Sequence, residues 1–297
     1  MRNLKRALSL TLASVMLLGM MVMGSSALSF NDADDISNVT AATVLEELEV
    51  MQGDGRGNFM PEQPVTRAQM AIIICRILYG SKLNVNQFSG TSQYNDVGVN
   101  DYYTGYINLA TSLGIINGYG DGRFGPDDTV TTAQAALMLC PALGYFQANE
   151  LTGNWGTDAL AAVTQATKLG LFGELNLPTN ELLARDNVCE MSFNAMTKVT
   201  PVQYNDFWKM YYTDSEAITT GVKFRYDETL GYRNFKLVYT DGEDDFGNPT
   251  TIWGTSDKSL GTLKPDGSID TTSFNNIPQT NQIVSAANKP LATYTAK

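Results

Sequence analysis

The chain has 297 residues, of which 43% are hydrophobic and 17% are charged, and its mean hydropathy is −0.15. This composition excludes a disordered chain and a polytopic membrane protein, and it suffices for one to three folded domains. The formal charge of −11 and the pI near 4.5 argue against nucleic acid and an anionic membrane as partners. Because the chain has no His, Ser-His and Cys-His catalysis and His-ligated metals are excluded as well.

The first 27 residues carry the pattern of a secretory signal peptide. A basic segment at residues 2–6 precedes an uncharged apolar run at 8–23, and Ser25 and Ala27 put small side chains at a signal-peptidase site. A transmembrane anchor is the alternative, but the apolar run is short for a span. We therefore expect cleavage after Ala27, which removes three positive charges and moves the formal charge from −11 to about −14.

Two neighbouring segments are self-similar. Residues 48–71 align without a gap on residues 113–136, at an offset of 65. A weaker third copy has matching residues around Leu169 and again from Leu183 onward. We therefore predict three consecutive repeats, the third divergent, at residues 28–90, 91–150 and 151–198.

Each repeat is predicted to form a helix, a loop rich in Gly and Asp, and a second helix. Apolar residues at helical spacing indicate the first helix, and the glycines of the loop permit positive φ angles. A capping box then begins the second helix, with Thr66 and Gln69 in the first repeat and Thr131 and Gln134 in the second. Because one helix pair cannot bury its apolar stripe alone, the repeats should pack on each other.

Two further features fall within the second helices. Pro141 lies inside the helix of the second repeat and should kink or shorten it. Cys75, Cys140 and Cys189 each lie in an apolar helical stretch, and no CxxC pair occurs. We therefore predict buried thiols that act as small hydrophobic residues, with no metal site and no cofactor.

The combined pattern resembles the S-layer homology family. The resemblance covers roughly residues 30 to 197, and the segments that carry it are Tyr94 to Val97, Leu113 to Pro126 and Val65 to Gln69. It implies three repeats in one mainly α-helical, three-pronged unit with pseudo-threefold symmetry. It also implies a secreted protein at the bacterial cell surface, which binds a secondary polysaccharide attached to the peptidoglycan in grooves between the prongs. This polymer often carries acidic pyruvyl groups.

The family's Thr-Arg-Ala-Glu motif implies which residues bind the polymer. Arg67 and Arg185 stand at the position of the family's arginine, whereas Thr132 replaces it in the second repeat, so that groove lacks its main cation. In the third repeat Ala184 and Asp186 also depart from the motif. The candidate ligand-binding residues by this resemblance are Arg67, Gln69, Thr66, Arg185, Thr132, Gln134, Thr131, Gly118 and Asp121.

An arginine at a helix start suits an acidic sugar on chemical grounds. The guanidinium can hold a carboxylate with two hydrogen bonds, and the unpaired N–H groups of the helix N-terminus favour an anion. Plainer interpretations stay open. The Thr and Gln residues can serve as helix caps alone, Arg67 and Arg185 can be solvated or in local salt bridges, and Gly118 can serve loop geometry. The Gly-rich loop that contains Asp121 resembles calcium-binding loops only faintly, so we predict no metal there.

Residues 199–297 are predicted to form a small, mainly antiparallel β module. Alternating apolar and polar residues, bounded by turn residues, indicate strands at 222–226, 235–239 and 250–253. Asp244 and Asp245, in the loop before the last of these strands, are interpreted as a solvated loop tip and not as a paired-carboxylate catalytic site.

These features predict a protein that anchors non-covalently to the cell wall and is not an enzyme. Its expected partners are the wall polysaccharide and, as a further option, itself or other surface-layer proteins, with no membrane contact after signal cleavage. One alternative is a lattice subunit that acts mainly by self-association. Another is a wall-anchored enzyme that acts on polysaccharides. The sequence fits both a complete chain and the front of a longer surface protein.

Overall fold

The computed structural model describes residues 30–147, 149–219, 221–243, 249–255, 262–270 and 282–284. The signal peptide predicted for residues 1–27 and the pair Asp244 and Asp245 lie outside these residues. Among the helices that are described, we find none with the length and apolar character needed to span a membrane.

Helices dominate the first two-thirds of the described chain. Six of them form three successive pairs, each a helix, a loop and a second helix, and a short seventh helix follows. In chain order they are α1 Val39–Glu47, α2 Arg67–Tyr79, α3 Thr104–Ser112, α4 Thr132–Ala142, α5 Trp155–Lys168, α6 Arg185–Thr197 and α7 Leu230–Phe235. The predicted mainly α-helical architecture of the repeats is thus confirmed.

The three repeats meet in a closed ring of backbone hydrogen bonds, just before α2, α4 and α6. Val65 N donates to Leu183 O at 2.9 Å, Leu183 N donates to Val130 O at 3.0 Å, and Val130 N donates to Val65 O at 2.9 Å. All three side chains are fully buried. Each segment donates to one neighbour and accepts from the other, so the repeats are related by a pseudo-threefold axis, as the family resemblance implies.

The second helix of each pair supplies much of the common core. Cys75, Cys140 and Cys189 are buried in α2, α4 and α6 with unpaired thiols, so the predicted burial of these thiols is confirmed. Burial raises the pKa of Cys75 and of Cys140 to about 12. These thiols are therefore packing residues with little thiolate character at neutral pH.

The predicted helix starts are confirmed in the first two repeats. Thr66 with Gln69, and Thr131 with Gln134, each form a complete capping box, whereas Ala184 gives α6 no side-chain cap. Helix α4 contains Pro141 and ends one residue after it. It has 11 residues against 13 in α2, so the proline coincides with a shorter helix.

The region after the repeats contains short antiparallel strands, as predicted. They are β1 Gln203–Asn205, β2 Met210–Tyr212, β3 Leu237–Glu243, β4 Pro249–Thr255, β5 Thr262–Leu263, β6 Ile269–Asp270 and β7 Gln282–Val284. β1 pairs with β2, β3 and β7 flank β4, and β5 pairs with β6. The strand expected at 250–253 is part of β4.

The strand predicted at 222–226 is wrong. Residues 221–225 form no regular element, and Tyr226–Glu228 is a single 3-10 turn. The Tyr226 ring is buried next to the rings of Tyr232 and Tyr239, and its hydroxyl donates to Leu237 O at 3.1 Å, so this residue folds inward. The strand expected from Phe235 begins at Leu237, because Phe235 still ends α7 and Lys236 adopts a left-handed conformation.

The β-containing region packs directly on the helical repeats. Asn234, in α7, donates from Nδ2 to the carbonyl oxygens of Ile77 and Leu78 at the end of α2, both at 2.8 Å. The rings of Phe193 in α6 and Trp253 in β4 lie 5.1 Å apart, edge to face. The end of α2 and part of α6 are therefore covered by this region.

Candidate functional site

Arg67 connects the first repeat to the second. It is the first residue of α2, it is 7% exposed, and its guanidinium reaches the loop that follows α3. Nε donates to Phe124 O at 2.8 Å and Nη2 donates to Asn117 O at 2.7 Å. The guanidinium carbon lies 4.6 Å from the ring centroid of Phe124 and 4.8 Å from that of Tyr119. Arg67 is therefore neither solvated nor held by a salt bridge.

Arg185 makes the same contacts between the third repeat and the first. It is also 7% exposed, Nε donates to Phe59 O at 2.8 Å, and Nη2 donates to Gln52 O at 2.8 Å. Desolvation by burial lowers the pKa of both Arg67 and Arg185. An arginine still stays charged at neutral pH, so each junction holds one buried cation.

The third junction has no such cation. Thr132, at the arginine position of the second repeat, is fully buried, and its Oγ1 lies 3.5 Å from Glu181 O in the loop of the third repeat. The sequence therefore places arginines at two of the three equivalent junctions, and the structure shows that each reaches into the loop of the next repeat.

The helix N-termini correct one expectation from the sequence. The first two backbone N–H groups of α2, on Arg67 and Ala68, donate to Asp128 O and Pro126 O at 2.8 and 3.0 Å. The third, on Gln69, donates to Thr66 Oγ1 at 3.3 Å. The sequence predicts unpaired N–H groups at the helix start that could bind an anion, but the neighbouring repeat and the cap already accept from these donors.

A wide groove of about 800 Å³ opens beside Arg67, between the second and third repeats. Its walls are the turn after α3, one side of α4 and the segment that leads into α5. Tyr119 and Trp155 contribute large exposed rings, 45% and 50% exposed respectively. The residues that line this wide groove are Arg67, Leu113 to Tyr119, Gln134, Leu137, Met138, Pro141, Phe146, Gln147, Leu151, Gly153, Trp155 and Asp158.

A narrow groove of about 250 Å³ lies at the matching place between the first and second repeats. It is formed by the turn after α1, by the last turn of α2 and by α3. The residues that line this narrow groove are Leu48, Glu49, Gln52, Arg76, Gly80, Leu83 and Tyr106.

Three of the sequence-predicted site residues, Arg67, Gly118 and Gln134, come together in the wide groove. Gln134 uses Oε1 to accept from Thr131 N at 2.8 Å and lines the wide groove, and its amide carries two N–H donors besides. Gly118 is required by close packing, since a Cβ there would lie 2.4 Å from Arg123 O and 2.5 Å from the Tyr94 ring.

The other candidate residues lie elsewhere. Thr66, Gln69 and Thr131 form helix caps, and Arg185 and Thr132 belong to the other two junctions. Asp121 lies in the loop, where it accepts from Arg123 N and Nε at 3.0 and 2.9 Å. The Arg123 hydrogen bonds lower the pKa of Asp121, and this carboxylate does not line the wide groove.

Sequence reasoning missed the aromatic residues of the wide groove. Tyr119 is one residue of a loop that resembles the family, and Trp155 belongs to the first helix of the divergent third repeat, where no segment aligns with the other repeats. Their signal in the sequence is weak, because an aromatic residue in a loop or a first helical turn is common. Within the described segments, no group of three or more Cys, Asp or Glu side chains is placed to hold a metal ion.

Comparisons with known proteins match the helical repeats. The family model described as the S-layer homology domain matches residues 29–71 and 93–136, which lie in the first two repeats. A cell surface protein of Thermoanaerobacter kivui is 33% identical over 208 residues, which are 69% of this chain and 26% of the relative. A surface layer protein of Brevibacillus choshinensis is 28% identical over 227 residues, which are 74% of this chain and 19% of the relative.

An enzyme is also among the relatives. Endo-1,4-beta-xylanase A of Thermoanaerobacterium saccharolyticum is 33% identical over 101 residues, which are 33% of this chain and 8% of that enzyme. The chain spans about a quarter or less of the length of each of these relatives.

Proposed function

Since this chain is an S-layer homology domain protein of the cell surface, we propose that it anchors there by binding an acidic secondary wall polysaccharide in the wide groove. The observation that carries the proposal is the composition of this groove. It combines one buried cation, two exposed aromatic rings and an amide donor in about 800 Å³. Sites for organic ligands are typically concave, mostly apolar and fitted with a few polar groups.

Each of these features suits a charged sugar. Trp155 offers a flat apolar face against which a sugar ring can pack, and its indole N–H can donate to a sugar hydroxyl. Tyr119 adds a second ring, and its hydroxyl, which donates to Asp128 Oδ2 at 2.9 Å, can still accept a hydrogen bond. Arg67 uses Nε and Nη2 for backbone carbonyls, but a guanidinium has five N–H donors, so others remain for an acidic substituent. The mature chain is strongly acidic, and an anionic polymer therefore needs such a local cation.

Co-sedimentation with purified cell walls tests the proposal. The mature chain, from Leu28, is mixed with intact walls and with walls stripped of their secondary polymer. Trp155→Ala removes a groove wall without touching the core, and Trp208→Ala is the matched control, since Trp208 is 63% exposed and does not line the wide groove. We expect binding to intact walls only, lost in Trp155→Ala and kept in Trp208→Ala. Equal binding of both variants would contradict the proposal.

We further propose that the chain itself is not an enzyme. The relatives named as surface-layer and cell surface proteins support this role, and the matched part of the xylanase is only 8% of that enzyme. Incubation of the purified mature chain with wall material and with xylan is the direct test. We expect no release of soluble sugar, and catalytic turnover on either substrate would contradict this part of the proposal.

A further inference from the structure

We infer that the wall polymer occupies one inter-repeat groove of this chain, the wide groove, and that Arg76 and Glu49 close the narrow groove. The inference rests on the function proposed above and adds which of the equivalent sites is used. The two grooves occupy equivalent places in successive repeats and differ about threefold in volume, 800 against 250 Å³. Pockets that bind organic ligands usually measure about 300–1,000 Å³, so only the wide groove falls in that range.

The alignment of the first two repeats shows which residues change between the grooves. At an offset of 65, Leu48 corresponds to Leu113 and Gln52 to Asn117, and these pairs line the two grooves in the same way. The junction arginine also follows the symmetry, because Arg185 donates to Gln52 O as Arg67 donates to Asn117 O. The framework of the two sites is therefore the same.

The main difference lies at the tenth residue of the second helix. This residue is Arg76 in α2 and Pro141 in α4, and both line their groove. The Arg76 side chain extends from α2 to the turn after α1, where Nη1 lies 3.4 Å from Val50 O. The short ring of Pro141 cannot extend in this way, and the equivalent space remains part of the wide groove. The proline thus leaves the wide groove open as well as ending α4 early.

Charge favours the same groove. Glu49 lines the narrow groove, and the equivalent residue in the wide groove is Gly114. A carboxylate at this place repels an anionic polymer and offsets the charge of Arg76. The wide groove also contains one carboxylate, that of Asp158, but Thr152 N and Oγ1 and Gly153 N already donate to it at 2.8 to 2.9 Å.

The third junction lacks the cation that an acidic ligand requires. There Thr132 stands in place of the arginine, and its side chain faces Glu181 O. Among the three junctions of the described chain, only the one at Arg67 combines a guanidinium with a groove wide enough for a sugar. One molecule of this chain should then bind one segment of polymer at a time.

Isothermal titration with oligosaccharides released from purified walls tests this assignment. The unaltered mature chain should bind with a stoichiometry near one. Pro141→Arg places the longer side chain in the wide groove and should weaken binding at least tenfold, whereas the matched Pro141→Ala keeps the groove open and should bind as before. Thermal unfolding of both variants shows whether each retains the fold.

The reverse change provides the second measurement. Arg76→Ala combined with Glu49→Gly gives the narrow groove small uncharged residues, and glycine fits because Glu49 has a φ of 57°. The stoichiometry should rise toward two. A stoichiometry of two for the unaltered chain, an unchanged stoichiometry in the double variant, or equal affinities of the two Pro141 variants would overturn the inference. If the unaltered chain binds neither oligosaccharide nor intact walls, the proposed function itself fails.

Discussion

The Nη2 atom of Arg67 lies 2.7 Å from the carbonyl oxygen of Asn117, fifty residues later in the chain and in the next repeat. Arg185 makes the equivalent bond to Gln52 O, so two buried arginines join three repeats into a ring. These two arginines, which the family resemblance predicts to bind ligand, therefore also stabilise the fold. Variants at these positions need a stability measurement beside every binding measurement.

The first prediction concerns these two arginines. Arg67→Ala and Arg185→Ala should each lower the free energy of unfolding by about 2–4 kcal/mol, because each leaves two backbone carbonyls without their charged donor. Urea denaturation followed by circular dichroism measures the loss. Arg123→Ala is the control, since Arg123 is exposed and pairs with Asp121 on the surface. A stability loss in the control as large as in Arg67→Ala would contradict this role.

The second prediction concerns Asp96, which fixes the start of the second repeat to its loop. Its carboxylate accepts from Phe124 N and Gly125 N, both at 2.8 Å. Burial raises the pKa of Asp96, but the two backbone donors outweigh this effect, so the pKa lies below the ordinary 3.8. A lowered carboxyl pKa contributes stability that is complete above the unfolded value and disappears as the pH falls through the folded value.

Asp96→Ala should therefore lower the free energy of unfolding by about 1–2 kcal/mol at pH 6. This loss is at the low end of the range for hydrogen bonds to a charged group, because Asp96 is only half-buried. The difference in the free energy of unfolding between this variant and the unaltered chain should become smaller as the pH falls below about 4. Urea titrations at several pH values between 3 and 7 provide the measurement. A difference that stays constant across this range would argue against a charged acceptor.

The third prediction concerns Gly118 in the wall of the wide groove. Gly118→Ala would place a Cβ 2.4 Å from Arg123 O, and the backbone would have to shift. We expect a loss of about 1–3 kcal/mol in the free energy of unfolding, together with weaker wall binding. Gly156→Ala, in the first turn of α5, is the matched control, since a Cβ there would lie 3.5 Å from Asn154 Oδ1, an ordinary contact distance. The control should be neutral or slightly stabilising.

The fourth prediction concerns the uncapped helix α6. Ala184 holds the N-cap position with an extended backbone but has no side chain that can accept a hydrogen bond. Ala184→Ser should raise the free energy of unfolding by about 0.5–1 kcal/mol, because a serine oxygen can accept from the third N–H of the helix. Thr66→Ala and Thr131→Ala should lower it by a similar amount. An unchanged free energy of unfolding in Ala184→Ser would contradict this prediction.

Much of the helical region could be predicted because its signals are local. The capping boxes at Thr66 and Thr131 each involve two residues that lie three positions apart. The offset of 65 between the first two repeats can be found by aligning the amino-acid sequence with itself. The β region was harder, since its strands are short and alternation at 222–226 did not distinguish a strand from a buried tyrosine on a turn. Strand formation there depends on the pairing partners, which the local pattern does not identify.

Local patterns in the sequence are sufficient to show that this chain consists of repeated helix pairs, where their second helices begin, and which two repeats carry an arginine at the helix start. Contacts between distant parts of the folded chain show that each arginine bonds to the loop of the next repeat, that the first two N–H groups of α2, α4 and α6 donate to a neighbouring repeat, and that Arg76 and Pro141 give equivalent grooves different volumes. The physical reason is distance along the chain. Caps and periodicity act within one or two turns, whereas Arg67 and Asn117, or Arg185 and Gln52, meet only when the ring of repeats closes.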